Sequence, residues 1–170
     1  MIWSWNIRLP QIISGPTWSG KSFWVRFLQN INSLCTEKNF DGGIIWCYSE
    51  RTAVPDRELS KISNNIRLNK GVQENFENKN GKPCLIKLDD QLDFVYSKEV
   101  CNLFRKGSHH RNISVILITQ KLFHQGQLFR DISLNAKYLV LLKKLGIVIS
   151  LCAWPVKYIL KVLRSYRTHI

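Results

Sequence analysis

Gly15, Gly20, Lys21 and Ser22 stand at the spacing of a loop that holds phosphate. Residues 15–22 read Gly-Pro-Thr-Trp-Ser-Gly-Lys-Ser and fit the pattern G-x-x-x-x-G-K-[ST] without a gap. In such a loop backbone N–H groups cradle the phosphates, the lysine reaches the outer phosphates, and the last hydroxyl binds Mg²⁺. The candidate binding residues are therefore Gly15, Pro16, Thr17, Trp18, Ser19, Gly20, Lys21 and Ser22. The ligand they imply is a nucleoside triphosphate, taken here as ATP, with Mg²⁺. By chance the four fixed positions would arise roughly once in a few hundred chains of this length, so the flanking residues matter. Leu9–Ser14 (LPQIIS) is a short apolar run, and Lys21–Leu34 (KSFWVRFLQNINSL) has apolar residues at helical spacing. Strand, loop and helix in that order are what the motif requires.

A second group of residues could complete a hydrolytic site. Cys84–Asp90 (CLIKLDD) is an apolar run that ends in two acids. There Asp89 would hold Mg²⁺ through water, and Asp90 would orient or deprotonate the attacking water. Alone, such a run more often marks a strand entering a turn. Lys87 is out of place within it, because a buried strand position should carry an ammonium only where it snorkels or pairs. Gln120 closes the run Ile113–Thr119 (ISVILIT). Its amide offers an acceptor and a donor together, enough to bridge a γ-phosphate and a water. Arg130 is a candidate finger acting on the γ-phosphate of a neighbouring subunit, with Arg111 as competitor. Lys106–Asn112 (KGSHHRN) is open to three readings: a phosphate contact, a subunit contact, or a solvated loop.

Positioning these residues calls for a sheet whose strands end on one edge. Strands are predicted near 9–14, 43–49, 83–89, 113–119 and 136–142, and the polar stretch 51–80 has room for a short helix and a minor strand. Phe94–Arg105 carries helical spacing with Gly107 as a stop, whereas Phe123–Asn135 reads as a loop with a helical turn. Alternating strands and helices imply an α/β fold with a mostly parallel sheet flanked by helices. Ligands of such sheets sit at the carboxyl ends of the strands, which is where Gly15, Asp89 and Gln120 would meet.

With 170 residues the chain has room for one packed domain. Its five cysteines are scattered and form no CxxC pair. That pattern argues against a disulfide framework or a zinc site and for a reducing, intracellular compartment, nucleus or cytoplasm. No secretory leader pattern opens the sequence. The formal charge is +13, and residues 145–170 contribute only Lys157, Lys161, Arg164 and Arg167 to it, without an acid. The excess therefore belongs to the body of the chain and points to a nucleic-acid partner.

Taken together, GPTWSGKS (15–22), CLIKLDD (84–90), LFRKGSHHRNISVILITQ (103–120) and LFHQGQLFRDISLNAKYLVLLK (122–143) resemble the DNA-packaging ATPases of the FtsK–HerA superfamily. The likeness is to those of Polinton/Maverick elements, adintoviruses and poxviruses, and it covers roughly residues 9–144. It implies a RecA-like P-loop NTPase core over 1–144, a homo-oligomeric ring, and ATP hydrolysis that drives double-stranded DNA into a viral capsid, which allows a virion-associated location. By resemblance Lys21 and Ser22 bind phosphate and Mg²⁺, Asp89 and Asp90 form the metal-acid pair, and Gln120 is the sensor.

The chain departs from that pattern at several points. Trp18 replaces a glycine, Lys87 an aliphatic residue, Lys121 an asparagine, and Asp131 a threonine. Beyond Lys143 the family continues with a Pro-Arg-Asp segment, but Leu145–Val156 (LGIVISLCAWPV) is an uncharged run. That run is too short to span a bilayer, Pro155 interrupts it, and it has no polar face. A base lost near the Lys144–Leu145 junction would account for residues 145–170, since a restored frame can read Pro-Arg-Asp followed by an amphipathic helix. The alternatives are a decayed nucleotide-binding copy without motor activity, a small-molecule P-loop kinase, and a protein tethered to a membrane through residues 145–163.

Overall fold

The computed structural model describes residues 9–17, 19, 21, 40–49, 65–72, 76, 78, 81–89, 96–107, 111–120, 126–143 and 163–164. Seven strands form the sheet: β1 (Gln11–Ser14), β2 (Gly43–Tyr48), β3 (Ile66–Lys70), β4 (Cys84–Asp89), β5 (Ile113–Thr119), β6 (Tyr138–Lys143) and β7 (Leu163–Arg164). Their spatial order is β3-β2-β4-β5-β1-β6-β7, and every pairing is parallel. The fold is α/β with a helix-flanked parallel sheet, compatible with a RecA-like core.

Buried parallel strands read as near-continuous apolar runs, since both of their faces are covered. β5 meets this condition at all seven positions, and β4 is buried at its first five. Side chains alternate between faces along each strand. One face gathers Ile12, Ile86, Leu88, Val115, Leu117, Leu139 and Leu141. The other gathers Ile13, Ile44, Leu85, Ile116, Ile118, Val140 and Leu142. Burying each such side chain contributes about 1.5–3 kcal/mol.

The described helices pack on the first face. Helix α1 (Lys98–Asn102) starts at Ser97, whose hydroxyl accepts from the Val100 amide at 3.3 Å, with Glu99 in the first turn. That cap and that charge both favour a helix start. The chain runs on into a π-helical turn, Leu103–Gly107, which buries Leu103 and Phe104. Helix α2 (Gln127–Asn135) buries Phe129 and Ile132, and the Phe129 ring meets Tyr96 edge-on at 5.3 Å. α2 corrects the expectation of a loop with a single helical turn over 123–135. Leu128, Phe129 and Ile132 make an apolar stripe too short to stand out among Gln127, Arg130 and Asp131, and tertiary packing supplies the rest.

β1 lies between β5 and β6, so the chain crosses over β1 on its way from one to the other. From β1 the chain goes to β2 and β3 at one edge and returns through β4, β5 and β6. The neighbours β1 and β6 are thus followed by strands on opposite sides, an arrangement that opens a crevice at the carboxyl ends of the strands. At the opposite edge the loops are stitched by side-chain amides. Asn78 Nδ2 donates to the carbonyls of Lys82 and Arg111 at 2.7 Å each, and Asn112 Nδ2 donates to Gly81 O at 3.0 Å. Two residues of the C-terminal stretch, Leu163 and Arg164, join the sheet beside Leu142 and Lys143. The expected strand of Leu9–Ser14 begins at Gln11. The expected helix after Lys21 and the run Leu145–Val156 lie outside the described residues. Among the described residues no helix is long and apolar enough to cross a membrane.

Candidate functional site

Three adjacent strands deliver the candidate residues to one edge. Ser14 at the end of β1 is level with Thr119 of β5, and Ile118 of β5 is level with Asp89 of β4. The three carboxyl ends thus lie within one residue of each other along the strand direction. Neighbouring strands are about 4.8 Å apart, so the loop after β1 and the acid of β4 flank the end of β5 across about 10 Å.

The loop leaves β1 through Gly15, whose amide donates to Thr119 O at 3.2 Å and ties the first loop residue to β5. A Cβ at Gly15 would stand 2.5 Å from Ser19 Oγ and 2.6 Å from Leu142 O, so a side chain cannot be fitted where the loop presses against β6. Beyond it a turn closes with the Ser19 amide donating to Pro16 O at 3.1 Å. Lys21 folds back over this turn, and its ammonium donates to Gly15 O at 2.7 Å and Pro16 O at 2.9 Å. Its charge is therefore held where the loop begins. Thr17 Oγ1 donates to Gln120 Oε1 at 3.3 Å, which joins the loop after β1 to the end of β5.

Asp89 ends β4 half-buried, and its Oδ2 accepts a bond from Lys87 Nζ at 3.1 Å. Lys87 is 1% exposed, two residues back on the same face. The side chain that should have been aliphatic has turned its ammonium onto the carboxylate and over the ring of Trp46, 3.2 Å from its centroid. Trp46 is the register partner of Lys87 on β2. Burial pulls the Lys87 pKa down to about 8, and the Asp89 charge and hydrogen bond oppose that pull. Desolvation is the larger effect because the ammonium has exchanged water for one carboxylate and one ring face.

Arg130 lies exposed in the first half of α2, one turn past Gly126. Arg111, its competitor, sits before β5 at the amino edge, with its guanidinium donating to Phe76 O at 3.5 Å. The length of β5, about 3.3 Å per residue, separates Arg111 from the Gln120 of its own chain. Trp18, Gly20, Ser22, Asp90, His109 and His110 lie outside the described residues.

Among the described residues no three His, Cys, Asp or Glu side chains gather closely enough to hold a metal alone. The edge offers instead the Lys21 ammonium at the loop after β1 and the Asp89 carboxylate at the end of β4. That donor set suits a phosphate-bearing ligand whose own oxygens complete the shell of a small, hard cation such as Mg²⁺. Sequence reasoning did not find the role of Trp46, although Trp46 and Lys87 are the bulky or charged interruptions in two neighbouring apolar runs. It also took Thr17 only as a loop residue, and the hydroxyl at that position was the available signal for a link to Gln120. No protein-family model matches the chain, and no curated protein matches it as a relative.

Proposed function

We propose that the chain binds and hydrolyses ATP with Mg²⁺ as a DNA-packaging or DNA-translocating ATPase of the FtsK–HerA type, encoded by a virus-like mobile element and acting inside the cell or with the virion. One observation carries this reading: β5, which Gln120 directly follows, lies between β1, which leads into the loop, and the acid-bearing strand β4. A strand inserted there puts a polar side chain between the loop and the carboxylate, as water-activating NTPases need and as the small-molecule kinase reading does not require. The Thr17–Gln120 hydrogen bond supports the same grouping.

Bound Mg²⁺–ATP supplies the γ-phosphoryl group and neutralises the charge that builds on its oxygens. Lys21 binds the outer phosphates, while Ser22 and Asp89 hold the metal. Gln120 orients a water in line with the bond to the leaving oxygen, and Asp90 accepts its proton. The water oxygen bonds to the γ-phosphorus as the bridging bond to ADP breaks. Arg130 of a neighbouring copy in a ring stabilises the transferring group. The charge of +13 supports duplex DNA as the partner.

A second reading, a nucleotide-binding remnant without motor activity, is favoured by one specific observation. The Lys87 ammonium already occupies an oxygen of the Asp89 carboxylate. Phosphate release by the full chain, with and without duplex DNA, separates the two. The motor reading expects turnover that DNA stimulates and that Lys21→Ala abolishes without loss of fold. The absence of turnover alongside intact ATP binding selects the remnant. Equal turnover in wild type and Lys21→Ala rejects this site.

A further inference from the structure

Lys87 is the only fully buried charged side chain among the described residues. Moving an ammonium out of water is costly unless partners replace the lost hydration. Lys87 has two partners, both fixed by the sheet. Asp89 shares its strand and face, with Oδ2 at 3.1 Å. Trp46 faces it from β2, with the ring centroid 3.2 Å from Nζ. The ring blocks retreat of the ammonium toward β2, and the strand spacing of two residues sets its reach to the carboxylate. The cation is thereby locked beside an acid that is 16% exposed at the carboxyl edge. Any dication approaching that acid meets a positive charge that cannot swing away.

We propose that Lys87 is a built-in counter-ion of Asp89 and sets how tightly the site takes a divalent cation. This rests on Asp89 being the metal-side acid of a triphosphate site. The carboxylate is paired from inside the sheet by the Lys87 ammonium. A metal–nucleotide complex must share Asp89 with the ammonium, so metal binds more weakly than it would beside an uncharged residue at position 87.

The test uses the full chain as wild type, Lys87→Met, Lys87→Gln and the double variant Lys87→Met/Asp89→Asn. Binding of a fluorescent ATP analogue in EDTA is measured first. Mn²⁺ is then titrated in the presence of a saturating non-hydrolysable analogue, and free Mn²⁺ is read by electron paramagnetic resonance. Both single variants should bind Mn²⁺ at least about tenfold more tightly than wild type, because a like charge a few ångströms away is gone. The double variant should lose that gain. Lys87→Gln retains a donor without charge, and it carries the comparison by itself if Lys87→Met does not fold. Equal Mn²⁺ affinity in wild type and both single variants, with nucleotide still bound, would overturn the proposal. A gain that persists without the Asp89 carboxylate would overturn it as well. Failure of every variant and wild type to bind nucleotide would instead remove the phosphate-loop reading, and this proposal with it.

Discussion

β4 and β5 lie side by side, in register from Cys84 against Ile113 to Asp89 against Ile118. Both are buried along their length, yet at one matched pair β5 carries Ile116 where β4 carries Lys87. β5 fills the sheet interior with apolar side chains and two small hydroxyls, Ser114 and Thr119, and carries no charge. β4 tolerates an ammonium because an acid stands two residues on and an aromatic ring faces it from β2. The lesson is that the interior of this sheet excludes unpartnered charge, while charge with a fixed partner can be built into it. The strand that departs from the apolar rule is also the one that brings an acid to the candidate site.

Moving the charge to the other strand tests this most severely. Ile116→Lys places an ammonium at the matched position of β5, where the residue two further on is Ile118 and offers no carboxylate. An uncompensated buried charge costs on the order of 5 kcal/mol or more, comparable to the whole stability of a domain. The variant should fail to fold at 25 °C, as read by circular dichroism. A native-like melt would break the comparison. Asp89→Asn, which strips Lys87 of its ionic partner, should destabilise by about 3–5 kcal/mol in urea unfolding. A change within about 0.5 kcal/mol would show that Trp46 alone suffices.

Leu117→Ala probes the apolar strand at a position that is 0% exposed. The expected loss is about 2–5 kcal/mol from lost transfer energy and the cavity left behind. Lys87→Met should lie on the other side of zero. Replacing a buried pair member by an apolar side chain of similar volume leaves Asp89 near solvent, and the expected effect runs from neutral to about 2 kcal/mol stabilising. A large loss would mean that the ion pair itself holds β4 in place. The smallest effect concerns Cys47, a free thiol in the sheet interior whose pKa burial raises to about 12, with the Asn69 hydrogen bond opposing. Peptide-resolved alkylation at pH 8 should leave Cys47 unmodified in the native chain and label it fully in denaturant.

Much of the sheet was legible because its strands are apolar runs bounded by turns. Gly43–Tyr48, Cys84–Asp89 and Ile113–Thr119 fall where the residues place them. Gly43 has φ +98° and a Cβ there would crowd Asn65, which explains why a glycine must open β2 after the Asp41-Gly42 turn. The minor strand expected within 51–80 is β3, whereas β7 is only two residues long and too short to carry a strand period. The π-helical turn has no residue signature distinct from α-helix. At the site, Gly15, Gln120 and Asp89 share one edge because the parallel strands β1, β5 and β4 end together. The embrace of Lys87 by Trp46 was not legible, because it depends on which strands are neighbours, and order across a sheet is not written in any one strand.

The central claim is that the edge formed by β1, β5 and β4 binds a nucleoside triphosphate through Lys21. Equilibrium binding of ATP to wild type and Lys21→Ala, followed by calorimetry, tests this most directly. The account predicts saturable binding at one site per chain, weakened at least about tenfold in the variant, which corresponds to about 1.4 kcal/mol. Equal affinity in the two proteins, or no binding to the wild type, would contradict it.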